Sequence, residues 1–179
     1  ESEPAEEADD ADDDIDDAAF AAAGVGEGDR VAAYLPNMPE ALAAMLAAVS
    51  RGAIWSSCSP DFGVQGVLDR FAQIDPNLLF TVYGYLYNSK PIPMGDKVAE
   101  IAAKLPTVER VLVIPYLGGA AGPGDLSRIR GAVSWDAFLA PHAPGPIDYV
   151  ELPFAHPLYI LYSSGTTGVP KCIVHGAGG

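Results

Sequence analysis

A chain of 179 residues, 49% of them hydrophobic, is long enough for about one domain with a real core. Its net charge of −14, with no basic stripe anywhere, argues against nucleic acid as a partner. Every apolar run is interrupted by charges or turn residues before it reaches bilayer-spanning length, so a membrane partner is not expected either.

The charge is unevenly placed. Of 24 acids, eleven fall in residues 1–17, which hold no Lys or Arg; 13 acids against 10 bases remain, a net of −3. A run such as Asp9-Asp10-Ala11-Asp12-Asp13-Asp14 repels itself and has little to bury. The expected organisation is an acidic, disordered tail over residues 1–17 and one globular unit over 18–179. An acidic interaction arm is the alternative for the tail; a calcium loop is not, because the spaced acids lack a glycine turn. The opening Glu1-Ser2-Glu3-Pro4 is unlike a secretory signal, and without an initiating Met the chain reads as a piece of something longer. Cys58 and Cys172 form no C-x-x-C, which disfavours a disulfide scaffold or a zinc site and favours a cytoplasmic, reducing setting.

After a glycine-rich turn at 24–29, a strand is expected at Arg30–Leu35. Asn37 is placed to cap a helix with Pro39 and Glu40 in its first turn. Leu42, Met45, Leu46 and Val49 follow at helical spacing, with alanines opposite, and Gly52 stops the helix. A short buried strand at Ala53–Ser56 leads through the polar turn 57–63 to a helix whose apolar face is Val64, Val67, Leu68 and Phe71. Leu78–Val82 reads as a strand. Asp96 is placed to cap a third helix bearing Val98, Ile101, Ala102 and Leu105, and Val108–Ile114 is a further strand. Between Pro115 and Pro157 the pattern fails, except for a short helix near Ser134–Leu139. Leu158–Tyr162 restores a strand. Strands alternating with amphipathic helices give an α/β fold of βαβ units with a mainly parallel sheet.

The chemistry is concentrated in Tyr162-Ser163-Ser164-Gly165-Thr166-Thr167-Gly168-Val169-Pro170-Lys171. Two glycines three apart let the backbone turn tightly and approach a ligand. The hydroxyls and successive N–H groups can surround phosphate oxygens, and Lys171 adds a compact positive charge. The stretch is not a Walker A loop, which needs G-x-x-x-x-G-K-[ST]. The bland reading is a hairpin loop with a solvated lysine. No cluster of catalytic side chains is otherwise evident, and Cys58 has no neighbouring base in sequence to activate it.

This string resembles the phosphate loop of the adenylate-forming acyl-CoA synthetases, and the resemblance extends over about residues 20–179. Gly28–Glu40 is similar to the family's early strand and helix. Trp55-Ser56-Ser57-Cys58-Ser59-Pro60-Asp61-Phe62-Gly63, with Cys172-Ile173-Val174-His175-Gly176 after the loop, narrows the resemblance to the branch that activates acetoacetate. It implies that 18–179 is an incomplete AMP-binding domain, part of a large, truncated N-terminal domain. It further implies a ligase using ATP, Mg2+ and coenzyme A on acetoacetate or a similar short acyl acid. Ser163, Ser164, Gly165, Thr166, Thr167, Gly168 and Lys171 would bind the ATP phosphates. Lys90 matches a position that faces the phosphates of coenzyme A, whereas Tyr87 stands where an arginine is expected, Tyr83 where an acid is, and Ser89 where a glycine is. His175 is a site residue or a structural one. The catalytic lysine of the family's small C-terminal domain has no counterpart here, so no catalytic residue is assigned. Two further readings stay open: an inactive remnant that at most binds nucleotide phosphate, and an acidic-tailed interaction protein.

Overall fold

The computed structural model describes residues 17–117, 124–143, 145, 147–166 and 168–178. A seven-stranded sheet forms the centre, in the order β7-β6-β3-β1-β2-β8-β9. Its strands are β1 (Arg30–Tyr34), β2 (Ile54–Cys58), β3 (Leu78–Val82), β6 (Arg110–Ile114), β7 (Ala132–Ser134), β8 (Pro157–Tyr162) and β9 (Cys172–Gly176). Every neighbouring pair is parallel except β8 and β9, which run antiparallel and are joined by residues 163–171. The strands are apolar and largely β-branched or aromatic, and β3 is buried along its whole length, as a central parallel strand covered on both faces must be.

The chain goes from β1 through α2 (Pro39–Ser50) to β2, then through α3 (Val64–Phe71) back past β1 to β3, and through α4 (Gly95–Lys104) on to β6. Right-handed crossovers place α2 on one face and α3 and α4 on the other. The packing agrees: α1 (Asp17–Ala22) lies against α2, and α3 lies against α4. On the α1 side an aromatic cluster closes the core. Phe80 has Phe20, Trp55 and Trp135 around it at ring-centroid distances of 5.7, 6.0 and 6.0 Å, and Phe138 of α5 (Trp135–Leu139) completes it.

Three local expectations are corrected. Met38, not Asn37, is the residue at the N-cap of α2, and Met94, not Asp96, holds that place in α4; neither helix has a side-chain cap. Asp96 lies in the first turn of α4, where its charge still suits the helix dipole. The third concerns which face of α2 is inside. Ala44, Ala47, Ala48 and Ser50 are buried, while Leu42 and Leu46 are 59% and 50% exposed. Alanine lets a helix approach the sheet closely, and the larger side chains then face outward. The spacing gives no sign of α1, of β7, or of the hairpin formed by β4 (Gly84–Tyr87) and β5 (Lys90–Pro93). The tail expected at 1–17 lies outside the described residues apart from Asp17, which begins α1. Among the described residues no helix is long and apolar enough to cross a membrane.

Candidate functional site

In an open α/β sheet, ligands bind beyond the carboxyl ends of the strands where the strand order reverses. Here that point is β1, with β2 on one side and β3 on the other. Three segments meet at this end of the sheet: the turn after β2, the hairpin after β3, and the loop after β8. A cleft of about 590 Å³ lies beside the first two, lined by residues that include Asn37, Met45 and Trp55, Asp61 of the turn, and Tyr85 and Tyr87 of the hairpin. The Tyr85 hydroxyl donates to Asp61 Oδ1 at 2.8 Å, tying the hairpin to the turn. The Tyr34 hydroxyl lies within hydrogen-bond reach of the carbonyls of Pro60 (3.0 Å) and Phe62. Burial first, then the nearby Tyr85, Cys58 and Asp61, push the Tyr34 hydroxyl up to about 12.

The loop of residues 163–171 is closed at its base by two hydrogen bonds between Ser163 and Lys171. Ser163 N–H donates to Lys171 O at 3.0 Å, and Lys171 N–H donates to Ser163 Oγ at 2.8 Å. Inside, Gly168 N–H donates to Gly165 O at 3.2 Å. Both glycines have positive φ, 67° and 140°, and a Cβ on Gly165 would meet Gly168 O and the Pro170 ring at 3.1 Å. The Ser164 and Thr166 hydroxyls are 3.5 Å apart and exposed. The Lys171 side chain is exposed, and no acid among the described residues pairs with it. Thr167 lies outside the described residues. The arrangement thus offers a cation with no acid partner among the described residues, two exposed hydroxyls in weak contact with each other and a tight glycine turn, a set of groups that suits phosphate oxygens.

The loop is held from beneath. The Tyr162 and Ser56 hydroxyls are 2.8 Å apart, and the Arg70 guanidinium stands 4.2 Å from the Phe62 ring centroid and 5.8 Å from that of Tyr162. Burial raises the Tyr162 hydroxyl far above its usual value. Burial likewise raises Cys58 to about 12, against a weaker opposing pull from Arg70, so this thiol on the cleft wall is not a nucleophile at neutral pH. His175 stacks on Tyr159 at 4.9 Å, and His156 Nε2–H donates to Gly52 O at 2.9 Å.

Lys90 stands apart from the loop. It opens β5, paired with Tyr87 across a two-residue turn in which Asn88 and Ser89 both have positive φ, 47° and 61°. Such turns favour glycine at the second place, and Ser89 adopts the conformation without it. Tyr87 forms part of the cleft wall, so exposed Lys90 is at the tip of the structure that bounds the cleft. β1 and β2 separate the hairpin from the loop. Tyr83 packs against Gly95 and Gly124, which leave no room there for a Cβ. Sequence reading missed Gln73, which touches the loop from the end of α3 and carries no motif to reveal it.

With this geometry in place, similarity to known proteins is informative. The sequence model of the family described as AMP-binding enzyme matches residues 18–179. The chain is 55% identical over 163 residues to the acetoacetyl-coenzyme A synthetase of Rhizobium meliloti (strain 1021), covering 90% of this chain and 24% of that protein. It is 52% identical over 169 residues to the acetoacetyl-CoA synthetase of Mus musculus, covering 90% and 25%. A malonamoyl-CoA synthetase of Penicillium aethiopicum is 47% identical over 155 residues, covering 83% and 21%. The solved acetoacetyl-CoA synthetase of Streptomyces lividans superimposes with a TM-score of 0.80 at 48% identity, over 91% of this chain and 24% of that one. The chain thus spans about a quarter of the length of the relatives it matches.

Proposed function

The chain belongs to the AMP-binding enzyme family, and on that premise we propose that it is part of an ATP-dependent ligase joining acetoacetate, or a similar short acyl acid, to coenzyme A. Relatives of about half-identical sequence carry the acetoacetyl name, which favours acetoacetate; the malonamoyl relative at 47% shows that this stretch is shared with a synthetase named for another acid. The observation that carries the reading is the Lys171 ammonium, free of any acid among the described residues and projecting from a backbone bonded on both sides.

In the first half-reaction an acyl carboxylate oxygen bonds to the α-phosphorus of ATP, and the α–β anhydride bond breaks with its electron pair leaving on pyrophosphate. Charge builds on the departing oxygens. Lys171, the Ser164 and Thr166 hydroxyls and the N–H groups of the loop would offset it. Thr167 and the backbone of Gly165 and Gly168 belong to the same binding loop, and Ser163 shapes it by accepting from Lys171 N–H. The loop contains no Asp or Glu, so Mg2+, which would neutralise phosphate charge, would arrive bound to the triphosphate. In the second half-reaction the thiol of coenzyme A displaces AMP from the acyl carbon. Lys90, at the mouth of the cleft, would pair with the phosphates of coenzyme A, leaving the cleft for its uncharged arm. Two free cysteines suit a cytoplasmic setting.

By itself the 179-residue chain is expected to bind nucleotide without completing either half-reaction. Calorimetric titration with Mg-ATP tests this: binding should appear, and Lys171→Ala should weaken it about tenfold or more, the loss of one charge-assisted contact. Equal affinity in the two proteins would overturn the role of Lys171.

A further inference from the structure

We propose that Gln73 is a positioning residue for the phosphate loop, fixing the peptide from which Lys171 projects; this rests on the phosphate-binding reading of that loop. Gln73 follows α3 and reaches the far end of the loop, 97 residues away in sequence, where its Nε2–H donates to Pro170 O at 2.7 Å. Its second Nε2–H goes to Asp69 O, and its Oε1 accepts from the Cys172 thiol at 3.7 Å. Only this orientation of the amide satisfies all three partners, since two carbonyls need donors and the thiol needs an acceptor. Burial raises the Cys172 thiol above its usual value, which keeps its proton available.

The Pro170 carbonyl and the Lys171 N–H belong to one peptide unit. Gln73 holds its oxygen and Ser163 Oγ holds its hydrogen, at 2.7 and 2.8 Å, while the next carbonyl, Lys171 O, accepts from Ser163 N–H. Three successive backbone groups are therefore bonded around Lys171, and its side chain has no partner among the described residues. Such a mount fixes where the ammonium begins without occupying it, and it spares the loop from ordering its backbone when a ligand arrives. Gln73 cannot touch the phosphate in this arrangement, because its polar atoms are already engaged.

The test compares the chain with Gln73→Met, which keeps length and removes every hydrogen bond, with Lys171→Ala, and with the double variant. Amide hydrogen exchange is read first. The Lys171 and Ser163 amides should exchange about tenfold faster in Gln73→Met while β3 amides are unchanged. Unchanged exchange at Lys171 overturns the proposal, and faster exchange everywhere overturns it in favour of a merely structural residue. Mg-ATP titration is read second. Gln73→Met should weaken binding several-fold, and the double variant should bind no worse than Lys171→Ala alone, because Gln73 acts through the lysine. Additive losses overturn the proposal. If the parent chain itself binds no Mg-ATP, the phosphate-binding reading of the isolated loop fails, and the exchange result still decides whether Gln73 fixes the Lys171 backbone.

Discussion

Two buried acids of unusual weakness, the Cys58 thiol and the Tyr34 hydroxyl, stand on or beside the cleft. Both are raised to about 12, from ordinary values of 9.0 and 10.0. A folded state that holds a proton more tightly than the unfolded chain keeps that stability below the unfolded value and loses it as pH climbs toward the folded one. Unfolding free energy should therefore be level below pH 9 and fall above it, and Cys58→Ala should flatten the first part of the decline. Urea titrations at intervals from pH 7 to 11 check this; an identical slope in the variant would remove Cys58 as a cause. At this scale the tight turn at the glycines and the exposed lysine and hydroxyls of the loop were legible from the sequence, because they crowd into ten consecutive positions. Gln73 was not, because its three partners are set by where α3 ends and β9 begins, and no local pattern carries that distance. The same holds for the clasp between Tyr85 and Asp61.

Among the elements, α2 shows how a helix with two usable faces is misread. Leucine and methionine spacing points to one face, yet alanine packs closest, and the sheet takes the alanine side. Leu46→Gln should shift stability by no more than about 0.5 kcal/mol, whereas Ala48→Leu, at a fully buried position, should cost about 1–3 kcal/mol by overpacking. Chemical denaturation of the two variants distinguishes the faces, and the reverse ranking would reject the packing described. Most strands and the helices α3 and α4 were legible because burial on both faces leaves continuous apolar runs and a single helical stripe. The β4–β5 hairpin was hidden for a physical reason: its turn is Asn88-Ser89 rather than Asn-Gly, and Pro91 and Pro93 mask the strand pattern of an edge pair.

Across the whole molecule, the sheet ends at β9, an edge whose backbone groups lack a further strand among the described residues. Ile173 and Val174 are 45% and 57% exposed on it, and Leu161 of β8 is exposed nearby. An apolar, unprotected edge favours strand-to-strand association. Sedimentation velocity should show self-association that grows with concentration, and Val174→Lys should suppress it by placing a charge on the edge. A chain that stays monomeric at high concentration would count against this surface being sticky. The parallel pairing of β1, β2, β3 and β6 followed from the alternation of elements; the antiparallel return of β9 along β8 did not, because a glycine- and hydroxyl-rich loop does not by itself fix the direction of the strand that follows it.

The chain has two tryptophans, and both rings lie 6.0 Å from Phe80. Trp55 also borders the cleft, whereas Trp135 opens α5, which packs on β6 and β7 at the far side of the sheet from the loop between β8 and β9. Intrinsic emission will therefore collapse as a single signal when the core opens, and it will respond to a molecule entering the cleft while staying nearly blind to one seated on the loop. A fluorescence titration that changes with coenzyme A but not with Mg-ATP would separate the two compartments optically, with no label attached.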